Sequence, residues 1–123
     1  MDTSRLRVVK SDRYETFEDF WPFYVSEHLH PATRALHYLG TTVSLVLIVL
    51  GAVLTQPVLF FAAVFADYFF AWIGHFFVEK NRPATFTYPL YSLLGDYRMY
   101  WLALRGKMGA QVAAVEASGR FAD

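Results

Sequence analysis

No Asp, Glu, Lys or Arg occurs between Ala35 and Ala66, and a run of that length exceeds the ~20 residues that carry one helix across a bilayer. Two crossings fit it better than one. The polar pair Thr55-Gln56 followed by Pro57 divides the run, because proline suits the first turn of a new helix. The expected crossings are therefore about 35–54 and 57–79. A soluble bundle would have to bury both helices, and about 40 near-continuously apolar residues would leave little of so short a chain to cover them. Composition points the same way: of 123 residues, 55% are hydrophobic, 19% aromatic and only 18% charged, too few for a wholly aqueous surface. The expected fold class is an all-α membrane protein, a transmembrane helical hairpin with flanking interfacial helices, forming a single membrane domain over residues 1–123.

Charge orients the hairpin. All 11 Lys and Arg lie outside it: Arg5, Arg7, Lys10, Arg13 and Arg34 before, and Lys80, Arg82, Arg98, Arg105, Lys107 and Arg120 after. The positive-inside rule then places both termini in the cytoplasm, at a bacterial inner membrane or, in a eukaryote, the endoplasmic reticulum. Residues 1–10 lack the apolar core and cleavage site of a secretory signal. Zero net charge and the lack of a basic stretch interleaved with aromatics argue against nucleic acid as a partner. The absence of cysteine excludes disulfides, thiolate metal sites and a cysteine nucleophile.

Two shorter helices should flank the crossings. Thr16-Phe17-Glu18-Asp19 has the form of a capped helix start, opening a helix over about 19–28 whose Phe20, Trp21, Phe23 and Tyr24 suit the headgroup level. Arg82-Pro83 stops the second crossing. Pro89 opens a helix over about 89–105, in which Leu90, Leu93, Leu94, Tyr97, Trp101 and Leu104 recur at helical spacing. Gly95, Asp96 and Arg98 interrupt it too much for a crossing, so it should lie in the interface. The last stretch, from Gly106, reads as a loose helix or tail.

The histidines are where chemistry could reside. His37 stands 19 residues before Gln56 and His75 stands 18 after Pro57, so at ~1.5 Å per residue they reach nearly the same depth on facing helices. Glu79 follows His75 by four positions, on the same helix face. A tight turn at Leu29-His30-Pro31 could bring His28 over the same point. Three imidazoles and a carboxylate with open positions suit non-haem iron(II), and they also suit zinc. For any one histidine, the plainer alternative is an interfacial hydrogen-bonding role. Asp67 falls near mid-bilayer, where a carboxylate costs roughly 2.5–3.5 kcal/mol on insertion scales. It should be protonated and bonded to Ser44 or another polar neighbour, with a place in the substrate path as the second option. Gly40 and Gly74 should let the two crossings approach closely.

The segment Phe23-Tyr24-Val25-Ser26-Glu27-His28, with Pro31 and Leu36-His37-Tyr38-Leu39-Gly40-Thr41, resembles the first signature of the membrane-bound 2-hydroxy fatty acid dioxygenase family. Ala71-Trp72-Ile73-Gly74-His75-Phe76-Phe77-Val78-Glu79-Lys80-Asn81-Arg82-Pro83-Ala84-Thr85-Phe86, with Pro89-Leu90 and Ser92-Leu93-Leu94-Gly95-Asp96, resembles the second. The resemblance implies an iron(II)-dependent oxygenase that uses dioxygen to shorten 2-hydroxy fatty acids by one carbon, the α-oxidation step in degrading phytosphingosine-derived chains in fungi. It places the family's histidines on His28, His37 and His75. Glu79 joins them as a ligand by spacing alone, and Glu27 competes for that place or supports the ligands from behind. His30 stands where the family usually has Asn, either as a helix cap or as a fourth imidazole. Arg82 is the candidate partner for a substrate carboxylate. Two helices enclose little space by themselves, which favours a homo-oligomer. The rival readings are a lipid-binding or assembly protein with structural histidines, and a haem protein ligated by His37 and His75.

Overall fold

A computed structural model describes residues 14–121. Residues 1–10, with Arg5, Arg7 and Lys10 among them, and Arg13 lie outside the described residues. Among those described, the chain is helical and contains no strand. The elements in order are α1 (Phe17–Ser26), α2 (Pro31–Val53), α3 (Val58–Ile73) continued by a π-helical turn (Gly74–Glu79), a 3-10 turn (Ala84–Phe86), α4 (Pro89–Leu104) and α5 (Met108–Ser118).

Local chemistry sets these boundaries. The Thr16 side chain accepts from Asp19 N at 3.1 Å and caps α1, a bond worth about 1 kcal/mol. His30 does the same for α2, its Nδ1 accepting from Ala32 N at 3.0 Å, with Pro31 at the first helical position. The cap lets α2 begin four residues before the expected position 35. At the far end Thr55 takes a positive φ of 50°, and Gln56 N donates to Gly51 O at 2.9 Å, closing the hairpin.

Two helices are long and apolar enough to cross a membrane: Pro31–Val53 and the continuous stretch Val58–Glu79. Their sidedness is inverted relative to a soluble bundle. The buried positions of α2 are Thr33, His37, Gly40, Thr41, Ser44 and Gly51, and those of α3 are Ala63, Asp67 and Ala71. Small and polar side chains fill the seam. Val53, Phe61, Phe65 and Phe77 point outward at 72–77% exposure. Small residues at helix contacts and bulky apolar ones outside are what packing in lipid selects, because hydrocarbon solvates leucine and phenylalanine as well as a protein core does. Gly40 shows how close the helices come: a Cβ there would lie 2.9 Å from Phe70 Cβ. The molecule is an all-α membrane protein built on a helical hairpin.

The apolar core lies beside the hairpin, among α1, α4 and α5. Phe20, Trp21, Tyr24 and Val25 from α1 pack with Tyr88, Met99, Met108 and Val112. This corrects the headgroup placement expected of Phe20, Trp21 and Tyr24, which are buried. It also gives the last stretch a role, since α5 contributes two core residues and Gln111 accepts from Trp21 Nε1 at 2.9 Å. The face of α4 that meets the other helices is Ser92, Gly95, Asp96 and Met99, while Leu90, Leu94, Trp101 and Leu104 are exposed. The Gly95-Asp96 interruption in the apolar pattern is thus the buried side of the helix. A Cβ on Gly95 would lie 2.7 Å from the Tyr24 ring, so glycine permits the close seating of α4 on α1.

Candidate metal centre

Three chain segments deliver the histidines. His28 follows α1, where its N–H closes a turn on Val25 O at 3.0 Å and its ring stacks on Tyr24, with centroids 4.0 Å apart. Arg34 Nη1 donates to His28 O at 2.9 Å and Leu29 O at 2.8 Å, tying the turn between α1 and α2. His37 lies in the second turn of α2, and His75 lies in the π turn, a helical irregularity frequent at functional sites. At Gly74 a Cβ would meet Thr33 Cγ2 at 2.9 Å, so glycine lets the π turn press against the start of α2. The three rings meet nearly edge to face, with centroids 4.3, 4.6 and 5.1 Å apart. One nitrogen from each lies within 4.8 Å of the others, and all three residues are buried.

Hydrogen bonding selects which nitrogen faces inward. His28 Nδ1 lies 2.5 Å from Tyr24 O, His37 Nδ1 lies 2.8 Å from Thr33 O, and His75 Nδ1 lies 2.7 Å from Asn81 Oδ1. Carbonyl oxygens only accept, so each Nδ1 carries the proton and each Nε2 presents a lone pair. Burial, reinforced by the two neighbouring imidazoles, holds His28 well below the usual histidine range, so it is uncharged at neutral pH. His28 Nε2 and His37 Nε2 nevertheless stand 2.9 Å apart. Two lone pairs at that distance repel unless a cation lies between them. The donor set therefore fits a borderline divalent ion such as iron(II) or zinc.

Asn81 is a residue the sequence reading missed. Lys80 adopts a left-handed φ of 57°, which folds the chain back so that Asn81 N donates to His75 O at 2.9 Å while its side chain holds the imidazole. Asn81 Nδ2 in turn donates to Glu27 Oε2 at 3.2 Å. Glu27 thus stands one side chain behind His75. Burial pushes its carboxyl up to about 7, and the bond from Asn81 works against that rise. Partners that fix a ligating histidine typically contribute 10–100-fold to metal affinity. Asn81→Ala should weaken metal binding by about that factor, measured by anaerobic titration of the purified protein.

Glu79 is not brought into the cluster. Its Oε1 accepts from His30 N at 2.7 Å, and this replaces the expected role as a ligand. The reason is electrostatic: the unpaired N–H groups at the start of α2 attract a carboxylate, as in a capping box whose acidic member comes from another helix. His30 is exposed and occupied as the α2 cap, so it provides no fourth imidazole in the cluster. Glu79→Ala should therefore keep metal binding within a few-fold of wild type while lowering stability by about 1 kcal/mol, read from metal titration and thermal unfolding in detergent.

Asp67 is buried in the seam and accepts from Thr41 Oγ1 at 3.1 Å. Thr41 is thus the polar neighbour that Asp67 uses, while Ser44, the other partner expected, is bonded to Tyr97 OH at 2.7 Å. The neighbour that matters more is Asp96 of α4, another residue the sequence reading left unassigned. Its Oδ1 accepts from Tyr24 OH at 2.5 Å and lies 3.9 Å from His37 Nε2. Burial and the adjacent Asp67 raise the Asp96 carboxyl well above the usual range. Arg82 is exposed, and its guanidinium lies over the Phe86 ring at 5.3 Å, outside the histidine cluster.

No curated protein and no solved structure matches this chain. A family model described as 2-hydroxy-palmitic acid dioxygenase Mpo1-like matches residues 14–108, a span that contains α1 through α4 and all three clustered histidines. The chain belongs to the 2-hydroxy-palmitic acid dioxygenase Mpo1-like family.

Proposed function

We propose that this protein is an iron(II)-dependent dioxygenase that shortens 2-hydroxy fatty acids by one carbon at the cytoplasmic face of the membrane. The observation that carries this reading is the convergence of three buried imidazoles whose Nδ1 atoms are all committed to oxygen acceptors. Bound iron(II) supplies the redox chemistry that lets dioxygen react with the substrate. The protein's residues hold the three nitrogens in place and exclude water from around them.

Reaction stoichiometry supports a self-contained activity. When the C1–C2 bond of a 2-hydroxy acid breaks, C2 becomes the new carboxyl and C1 leaves as carbon dioxide. The substrate loses four electrons, which match the four that reduce one dioxygen, and one water forms. No external reductant enters the balance. The outward phenylalanines of the hairpin suit an acyl tail that stays in lipid while its polar end reaches the histidines. Arg82, beyond the π turn, would meet the substrate carboxylate. Arg82→Gln should then raise KM by about 10-fold with kcat little changed, as expected for a contact made equally in ground and transition states.

Arg34, Lys80 and Arg82 flank the histidine end of the hairpin, which supports a cytoplasmic site and cytoplasmic termini. Two helices enclose little space by themselves, which supports a homo-oligomer. The decisive test is incubation of the purified, iron-loaded protein with 2-hydroxypalmitic acid and oxygen, followed by mass spectrometry. Formation of the acid one carbon shorter is expected; unchanged substrate in the presence of stoichiometric bound iron would reject the activity.

A further inference from the structure

We propose that Asp96 completes the metal site as its one anionic ligand, giving three imidazoles and a carboxylate drawn from α4. The inference rests on the reading of the three histidines as a metal centre and adds a residue that neither spacing nor the histidine cluster assigns.

Charge is the first reason. Three neutral imidazoles leave the full double charge of a divalent ion in a site whose ligands are 1–3% exposed, and a buried uncompensated charge is strongly unfavourable. One adjacent carboxylate halves it. Distance is the second. Asp96 Oδ1 lies 3.9 Å from His37 Nε2, inside the roughly 4.2 Å that two donors about 2.1 Å from one ion can span; His28 and His75 lie farther from it, so the carboxylate would close on the ion from the His37 side. Glu79 and Glu27 are both committed elsewhere, to His30 N and Asn81 Nδ2.

Unmet bonding capacity is the third. A carboxylate offers about four acceptor positions. Asp96 is 1% exposed, its Oδ1 accepts one hydrogen bond from Tyr24, and its Oδ2 receives no N–H or hydroxyl donor among the described residues, its remaining polar neighbour being the Asp67 carboxyl. Fully buried polar atoms are rarely left so underused. The Tyr24 hydroxyl then orients the carboxylate as Asn81 orients His75, and the same Tyr24 ring stacks on His28. One side chain from α1 thereby aligns two members of the site.

The test is anaerobic titration of the full-length protein in detergent with cobalt(II), read by visible absorption for both affinity and ligand field. Wild type, Asp96→Asn, Tyr24→Phe and His75→Ala are compared. Asn keeps an oxygen for Tyr24 while removing the charge, so Asp96→Asn should fold but bind cobalt(II) at least about 100-fold more weakly with a shifted spectrum. Tyr24→Phe retains the carboxylate and should keep the wild-type band positions, with affinity within about 10-fold. A wild-type spectrum and affinity in Asp96→Asn would overturn the assignment while leaving the histidine centre intact. An equal loss in Asp96→Asn and Tyr24→Phe would also overturn it, because packing would then be the common cause. Binding unchanged in His75→Ala would instead remove the histidine centre itself.

Discussion

His75→Ala should reduce bound iron from about one per chain to near zero and lower turnover of a 2-hydroxy fatty acid by on the order of 1,000-fold or more. The size follows from comparison with its supports: loss of a residue that merely orients a ligand costs 10–100-fold, and loss of the ligand removes a bond to the ion as well. Among the three histidines, His75 gives the cleanest experiment. Its hydrogen-bonding ring nitrogen contacts only the Asn81 side chain, whereas His28 also stacks on Tyr24 and holds the turn after α1 through Tyr24 O. The variant should consequently fold, and metal analysis and product formation can be compared at equal helicity. Full iron content with undiminished turnover in this variant would contradict a role for the cluster.

Tyr24→Ala should have the largest effect on stability, about 3–5 kcal/mol, as for other large aromatic truncations in a packed interior. The ring is fully buried, stacked between Trp21 at 5.3 Å and His28 at 4.0 Å and pressed by Gly95 of α4. Its removal opens a cavity where α1 and α4 meet and also takes the hydroxyl from Asp96. Tyr24→Phe separates the two contributions: it retains the packing and should cost about 1–3 kcal/mol for leaving a buried acceptor without its donor. Thermal or denaturant unfolding in detergent, followed by circular dichroism, measures both. If Tyr24→Ala unfolded together with wild type, the α1–α4 contact would not be the structural anchor of the site.

Local signals made the hairpin legible. The charge-free run, the Thr55-Gln56-Pro57 break and proline at helix starts are all short-range features, and helices with such features form much where the sequence puts them. Depth arithmetic along two facing helices likewise anticipates that His37 and His75 can meet, because rise per residue is nearly constant. What escaped was tertiary. Tyr24 in a segment rich in aromatics has the same composition whether it faces headgroups or a core; only the packing of α4 and α5 decides. Asp96 resembled an interruption because Gly95, Asp96 and Arg98 were weighed only against a crossing; in α4 Leu90, Leu94, Trp101 and Leu104 face out while Gly95-Asp96 face in with Ser92 and Met99. Glu79 had the right spacing for chelation, but the start of α2 claimed its carboxylate, a competition between helices that no single-helix rule includes. Asn81 depends on the left-handed turn at Lys80, a conformation for which lysine is an unusual carrier.

The most direct measurement is X-ray absorption at the iron edge on wild-type protein loaded with one equivalent of iron(II) without oxygen. Three imidazoles on one ion should give a nitrogen and oxygen shell near about 2.1 Å, together with the outer-shell scattering of histidine rings corresponding to about three ligands. A spectrum with no imidazole scattering, from a preparation that still turns over substrate, would contradict the assignment of His28, His37 and His75 as the metal centre.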